Sequence, residues 1–556
     1  MHRNARSSIT IPRGPTRGGS IDFALYQEPE TLNPQLASQA ASEEISVFIV
    51  EGLVGAVDDA TYYPRLATEV PTVQNGGVSA DGKTVIYHLK PGVRWSDGYP
   101  VSAEDVRFTW EAIMHPHSGA AIRSGFRDIE TVECPDPATV VVRYKIPYAP
   151  YLRLFGSIMP KHVSGDPAEM PQWAYNRKPV GTGPFVLSDW TPGDRIMLVR
   201  NPWYRDANKP HLDAVTFRLV GDREVGKRLL RSAEVDVLWD LGESDIDELQ
   251  HEAGIALSIH PAAEVERLVL NLADPAIDGP STEEAVQRPH PILGDPQVRE
   301  AIDLGIDRGK LADTLFGGLG RLGTTPLQFS WATGTVPLPP SHPERAIQLL
   351  EAAGWVSGPD GIRVAKGAKF ASPGARLHLT LLTTTGSPLR QRVAQMLIDQ
   401  LKHIGIELAA EFIPSATLFG SWAGGGVGKH GRFDILMYAV GPRIDPHSHL
   451  EDNFASWSVP SSTSGGVGFN YSRWRNQTAD EAIRRGSTSL DQLIREEAYR
   501  VAIDQIVADR PHIFLYRRTR VHAHRTRLRG WSPNRWDNLG WNSADWWVDA
   551  DPLGLR

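Results

Sequence analysis

The chain has 556 residues, 41% of them hydrophobic and 22% charged, with a formal net charge of −8. That length exceeds one hydrophobic core and points to about three or four domain-sized units of a soluble globular protein. The acidic balance disfavours a dedicated nucleic-acid binder, which needs a basic face, and no uninterrupted apolar run approaches the ~20 residues that span a bilayer.

The N-terminus, Met1-His2-Arg3-Asn4-Ala5-Arg6, is basic and runs into Ser, Thr, Pro and Gly without a signal-length apolar stretch. Residues 1–19 are expected to be a flexible lead-in. Either the protein stays inside the cell or an export segment is missing from this sequence. Thr84 to Leu89 alternates with period two and reads as a strand. Ser102-Ala103-Glu104-Asp105 starts a helix like a capping box, with Val106, Trp110 and Ile113 at helical spacing. Cys134 is the single cysteine, which leaves no intramolecular disulfide and no cysteine metal site. Val140 to Tyr144 reads as a second strand.

Further along, Leu268 to Leu272 reads as a short buried strand. Pro343 to Ala353 reads as a helix stopped at Gly354. Ser387-Pro388 opens another, with the stripe Val393, Met396, Leu397, Leu401 and Ile404 closed by Gly405. Glu496 to Asp509 is a third, closed by Pro511. His512 to Tyr516 reads as a second buried strand, and the two buried strands suggest crossings between two lobes with hinges at 268–272 and 511–516. Six arginines follow between Arg517 and Arg529 and read as a solvated strand and loop.

Several segments resemble the family 5 extracellular solute-binding proteins of ABC importers. Glu28-Pro29-Glu30-Thr31-Leu32-Asn33-Pro34 is similar to that family's loop after the first strand. The densest match runs from Asp81-Gly82-Lys83-Thr84 through Gly92-Val93-Arg94-Trp95-Ser96-Asp97-Gly98 to Ser102-Ala103-Glu104-Asp105-Val106. Gly181-Thr182-Gly183-Pro184-Phe185, Asn201-Pro202-Trp203-Tyr204, Asp295 to Ile302 with Ile306-Asp307-Arg308, and Ala346 to Trp355 follow in family order. The resemblance implies an α/β fold of two lobes with an extra inserted domain, the large form of the type II periplasmic binding protein. It implies a first lobe from 20–50, 182–269 and 513–556, an inserted domain at 51–181 and a second lobe at 270–512. It also implies a monomer that delivers its ligand to permease subunits, in a periplasmic or extracellular setting. Membrane attachment would come only through the transporter or a lipid anchor outside this chain, and neither cofactor nor nucleic acid is expected.

The resemblance further implies that ligand lies where Tyr438 to Asp445 turns after a buried strand, so Tyr438, Val440, Gly441, Arg443 and Asp445 are candidate contacts. Trp422, Phe469 and Asn470 are expected nearby, and Glu28, Leu32 and Asn33 are expected to face them from the first lobe. Peptide-binding members carry an amine-binding aspartate in this turn; here Gly441-Pro442 stands there instead. Arg443 becomes the nearest charged group, suited to a carboxylate, phosphate or sugar hydroxyl, or else a solvent-facing loop residue. Trp331, Phe419 and Trp457 are either cleft stacking faces or packing. His447 and His449 with Asp445, Glu451 and Asp452 could hold a metal, although the expectation is that none binds. No G-x-S-x-G, H-E-x-x-H or P-loop is present. The readings open at this stage are peptide capture, capture of another polar solute such as an oligosaccharide or opine-like compound, a cleft hydrolase, and a chaperone or sensory domain.

Overall fold

The computed structural model describes residues 14–37, 39–57, 61–242, 245–277, 288–316, 321–327, 331–332, 340–442, 444–464, 466–534 and 538–549. Its backbone is one mixed sheet that runs through both lobes. In order, the strands are Glu407–Ile413, His378–Thr384, Ile435–Val440, Ile255–Leu270, His512–Arg525, Val237–Leu241, Ser20–Leu25, Ala214–Leu219, Arg195–Arg200 and Phe185–Thr191. The short strand Arg321–Leu322 pairs beside His512–Arg525.

Two strands in the middle carry the connection. Ile255–Leu270 has 16 residues and His512–Arg525 has 14, and they pair antiparallel from Ile255↔Arg525 to Val269↔His512. Both are far longer than the five-residue strands that their apolar ends suggest. The extension lies in Ser258 to Glu266 and Arg517 to Arg525, where proline and charge hide the pattern. Cross-strand pairing, not side-chain burial alone, holds these stretches extended.

Three cores are distinct. In the first lobe, Phe23, Phe48, Phe185 and Phe217 pack with Trp546 near the C-terminus. Residues 51–181 contain their own core, with Trp95, Val106 and Val140 fully buried. It is built from the sheet Thr84–His88, Thr139–Tyr144 and Ile129–Asp136 under the helix Ala103–Met114. That helix starts on a full capping box between Ser102 and Asp105. In the second lobe, Pro343–Ala352 and Pro388–His403 press Leu350, Leu397 and Leu401 against the sheet.

The helix expected from Glu496 begins at Gln492, because the Asp491 carboxylate accepts from the Leu493 and Ile494 amides at 2.8 and 3.4 Å. An aspartate cap leaves no apolar trace, so the stripe marked the start too late.

The turn at Gly181 fixes how the segment 182–185 leaves the inserted unit. A β-carbon there would lie 1.9 Å from the Ile49 carbonyl oxygen, and the neighbouring Gly183 amide donates to that same oxygen at 2.8 Å. Gly181→Ala is therefore expected to force backbone movement and cost about 1–3 kcal/mol, read as a lower midpoint in urea unfolding.

Candidate functional site

A cavity of about 560 Å³ lies where the two long strands cross between the lobes. Its floor is a bulge. Pro261 pairs with Thr519 and Val265 with Arg517, so Ala262, Ala263 and Glu264 stand opposite Arg518 alone. A bulge interrupts the ladder and re-aims side chains, and here its first two are small. From the first lobe come Glu43 and Glu44 of the helix Ala40–Ser46, with Trp239 and Asp240 at the end of Val237–Leu241. From the second lobe come Arg390 and the segment Ala439 to Pro442. Gly441 meets the bulge closely: a β-carbon on it would lie 2.6 Å from the Ala263 carbonyl. Only glycine lets the second lobe's turn seat there.

The charges around this floor are paired. Arg520 and Glu264 form an ion pair. Burial pushes the Glu264 carboxyl up, but the Arg520 and Arg518 guanidiniums outweigh it and leave it below the usual range. Arg390 donates to both oxygens of Glu266 at 2.8 and 3.3 Å and to Thr384 Oγ1 at 2.7 Å. Arg518 stands 4.0 Å from Asp240. His522 accepts the Asp240 amide on Nδ1 at 3.2 Å. Burial, with Arg520 and His260 adding to it, holds that imidazole down to about 3, so it lines the cavity as a neutral ring. The arginine run is thus half-buried and ion-paired, not a solvated strand; its alternation with Val521 and Ala523 belongs to the crossing strand.

Of the residues expected to meet ligand, Val440 and Gly441 line this cavity. Arg443 lies outside the described residues. Tyr438 stands two residues back on the same strand, its ring 5.0 Å from Phe419 and under the Arg267 guanidinium at 5.1 Å. Asp445 is buried and accepts from Arg495 Nη2 at 2.8 and 2.9 Å while capping His447 N at 3.0 Å. Asn470 is fully buried and spends its amide on the Ala455 and Trp474 carbonyls at 3.0 and 2.9 Å. Phe469 is partly exposed under Lys429 Nζ, 4.2 Å from the ring centroid. Trp422 stacks on His430 at 4.2 Å.

The loop at 28–33 serves the first lobe and the inserted unit. Glu28 accepts from Trp190 Nε1 at 3.1 Å and from the Gly193 amide at 3.2 Å. Leu32 sits in the first core. Asn33 is fully buried and donates to Asn176 Oδ1 at 3.0 Å. Trp331 packs on Tyr499 at 5.9 Å, and Trp457 donates to Glu451 at 3.0 Å. His447 and His449 fall on the helix His447–Phe454, where residues two apart point to different faces. Among the described residues no group of three or more His, Cys, Asp or Glu is arranged to hold a metal.

Sequence reasoning missed the pairs Arg390–Glu266 and Arg520–Glu264 and the acidic first-lobe wall. Glu264 and Glu266 precede the apolar run Leu268 to Leu272, in the part of the strand that carries no apolar run of its own. Their only trace was alternation with Val265.

A second interlobe contact lies away from the crossing. Ser124 Oγ donates to Asp452 Oδ1 at 2.7 Å, and Arg127 pairs with Glu451. The Ala149 amide donates to the Ser487 carbonyl at 2.7 Å, and Leu490 packs on the inserted unit's core. Burial, with Glu451 adding to it, pushes the Asp452 carboxyl up to about 6 against the lowering Ser124 hydrogen bond. Glu451 goes the other way, to about 2, because His447 and Arg127 outweigh its burial.

Two outcomes follow from the paired charges. Arg390→Ala strands Glu266, which is 1% exposed, and is expected to cost about 3–5 kcal/mol. Arg390→Met with Glu266→Gln should recover most of that loss in calorimetric unfolding. His522 has a folded-state pKa below its unfolded value near 6.5, so its contribution is full above pH ~6.5 and is lost as the pH falls toward its folded value. His522→Gln is therefore expected to lose about 2–3 kcal/mol less than wild type between pH 7 and 4.5, measured by urea titration at each pH.

Known proteins share this architecture. The sequence model described as "Bacterial extracellular solute-binding proteins, family 5 Middle" matches residues 61–460. Protein XP55 of Streptomyces lividans is 28% identical over 533 residues, covering 94% of this chain and 86% of its own. The oligopeptide-binding protein AppA of Bacillus subtilis is 24% identical over 560 residues, covering 98% and 95%. Its structure in complex with a nonapeptide superposes with a TM-score of 0.81 at 22% identity, over 96% of this chain and all of that one. NikZ of Campylobacter jejuni, in complex with Ni(L-His), also gives 0.81 at 21% identity, over 95% and 99%. The chain belongs to the bacterial extracellular solute-binding proteins of family 5.

Proposed function

We propose that this chain captures a peptide or peptide-like polar solute between its lobes and presents it to the permease of an ABC importer. One observation carries the reading. The cavity lies at the strand crossing with walls from both lobes, so an occupant touches both and favours their closure. Its volume is in the range of about 300–1,000 Å³ typical of small-ligand sites. AppA, similar over nearly the whole chain, has been seen with a nonapeptide.

We divide the chain at the same crossing. The first lobe is 20–50, 182–269 and 513–556, the inserted domain is 51–181, and the second lobe is 270–512. The separate cores support this division in outline, although Leu268, Ile513, Leu515 and Tyr516 of the crossing strands pack in the second-lobe core. The hinge falls at the bulge, 262–264 against 518, and so lies some residues inside the apolar crossings at 268–272 and 511–516. The role is capture without turnover, by a monomer, outside the cytoplasm. Among the described residues no helix is long and apolar enough to cross a membrane.

A second reading, capture of a non-peptide polar solute, rests on Asp445. In this fold its carboxylate is engaged by Arg495 and the His447 amide, which leaves the turn without an acid for a peptide amine. Carboxylates at the other wall, Glu43, Glu44 and Asp240, stand where a ligand cation would be met instead.

Native mass spectrometry of freshly purified protein tests both readings. A retained solute is expected, and its mass and fragmentation separate peptide from non-peptide. Arg518→Ala, at the cavity floor, is expected to weaken that solute by roughly 10- to 100-fold in calorimetric titration, as for one hydrogen bond to a charged group. Unchanged affinity in this variant would place the ligand elsewhere and sink the assignment of the cavity.

A further inference from the structure

The cavity wall holds a buried hydrogen-bond donor that the protein itself leaves unused. His522 is 3% exposed and lines the cavity. Its Nδ1 accepts from the Asp240 amide at 3.2 Å. In an uncharged imidazole the proton then sits on Nε2, which can only donate. Among the described residues that Nε2 has no hydrogen-bond partner.

The backbone holds the ring in this state. Leu238 pairs with Ala523 and Leu241 with Val521, so Trp239 and Asp240 together stand opposite His522 alone. This is a second bulge, on the other side of His512–Arg525 from the one at 262–264. Asp240 takes a φ of 52° in it, the left-handed region that few residues other than glycine adopt. The amide of this residue meets the imidazole instead of a strand carbonyl. Trp531 stands edge-on to the same ring at 6.1 Å.

Other unpartnered ring nitrogens near the crossing are out of reach. Trp239 Nε1 and both nitrogens of His512 are enclosed by protein, whereas His522 Nε2 is not. A side recess of about 10 Å³ shares Ala262, Arg520 and His522 with the cavity, and it has room for one water at most. A solute therefore meets the ring from the main cavity.

The surrounding charges decide which acceptor suits it. Arg518, Arg520 and His522 lie two residues apart along one strand and all line the cavity. Arg520 pairs with Glu264, and Arg518 stands 4.0 Å from Asp240. Burial, with Arg520 and His260 adding to it, keeps the imidazole uncharged. A neutral N–H beside matched charges suits a neutral oxygen, and an ammonium group offers it no lone pair.

We propose that His522 Nε2–H donates to an uncharged carbonyl oxygen of the captured solute, of the kind a peptide bond carries. The inference rests on the proposed function and narrows it. A solute that sets an amide carbonyl against this wall satisfies the donor, and one that offers only donors there leaves a buried N–H without an acceptor.

The test titrates the protein with a pancreatic digest of casein, a peptide pool of mixed sequence, followed by tryptophan fluorescence. His522→Asn keeps an acceptor near the place of Nδ1 and removes the donor. It is expected to need roughly 10-fold more of the pool for half-saturation. His522→Gln carries an amide N–H near the place of Nε2 and is expected to recover most of that loss. Should the variants fail to fold, crystals of wild-type protein grown with the same pool give a second readout. A peptide carbonyl oxygen within hydrogen-bond distance of His522 Nε2 is expected. Equal binding by His522→Asn, or bound peptide with only water at Nε2, would overturn this inference and leave the proposed function standing. A wild-type protein that takes up no peptide from the pool would overturn the peptide reading and this inference with it.

Discussion

The antiparallel pairing of Ile255–Leu270 with His512–Arg525 is the contact on which the rest of this molecule hangs. These strands are the only neighbours in the main sheet that join the second-lobe strands to the first-lobe strands among the described residues. One end of the pair is bordered by Ile435–Val440 and the other by Val237–Leu241. A continuous ladder would be stiff. The bulge at Ala262 to Glu264 interrupts it where it passes between lobes, and that is where the cavity lies. The interruption of the ladder and the floor of the cavity are therefore built from the same few residues.

Charge at this crossing is arranged so that it does not oppose the fold. Glu264 and Glu266 flank Val265 on the strand Ile255–Leu270. Each finds an arginine from a different element: Arg520 on the partner strand and Arg390 at the start of the helix Pro388–His403. Removing Arg390 leaves Glu266 as a buried charge, whereas Arg520 and Glu264 keep some access to water, so the first pair is the stronger constraint on register. Trp239 and the small floor residues Ala262 and Ala263 line the cavity beside these pairs.

Much of the architecture was legible because it rests on local signals. The capping box at Ser102 to Asp105, the proline-started helices at 343 and 388, and the Gly-rich turn at 181–184 each have one physical solution. The site was less legible. Glu28, Asn33, Asp445 and Asn470 are polar residues in loops, the ordinary signature of ligand contacts, yet their hydrogen bonds are spent on Trp190, Asn176, Arg495 and backbone carbonyls. Whether a polar group faces a cleft or fastens a loop depends on which distant residue meets it. Asn33 and Asn176 are 143 positions apart, and Asp445 and Arg495 are 50. No pattern along the chain encodes such pairings. The converse holds for Arg518 and Arg520, which looked like solvated charge because their carboxylates lie on other strands.

The inserted unit adds a second condition to closure. Its sheet and helix fold around Trp95 without help from the second lobe, yet Leu490 packs on that core and Ser124 and Arg127 reach Asp452 and Glu451. Any parting of the inserted unit from the second lobe must break these contacts. They differ in kind from the hinge pairs. Arg127 is exposed on one side while Glu451 is buried, so water reaches the pair and weakens its hold. Asp452 is partly exposed, and burial with Glu451 beside it pushes its carboxyl up to about 6 against the Ser124 hydrogen bond. Were parting the units to return it to water, the joined form would hold a proton more readily and be favoured as the pH falls through that value. Under the proposed function closure has two contributions: what fills the cavity at the crossing, and the Ser124–Asp452 hydrogen bond and Arg127–Glu451 pair at the second contact.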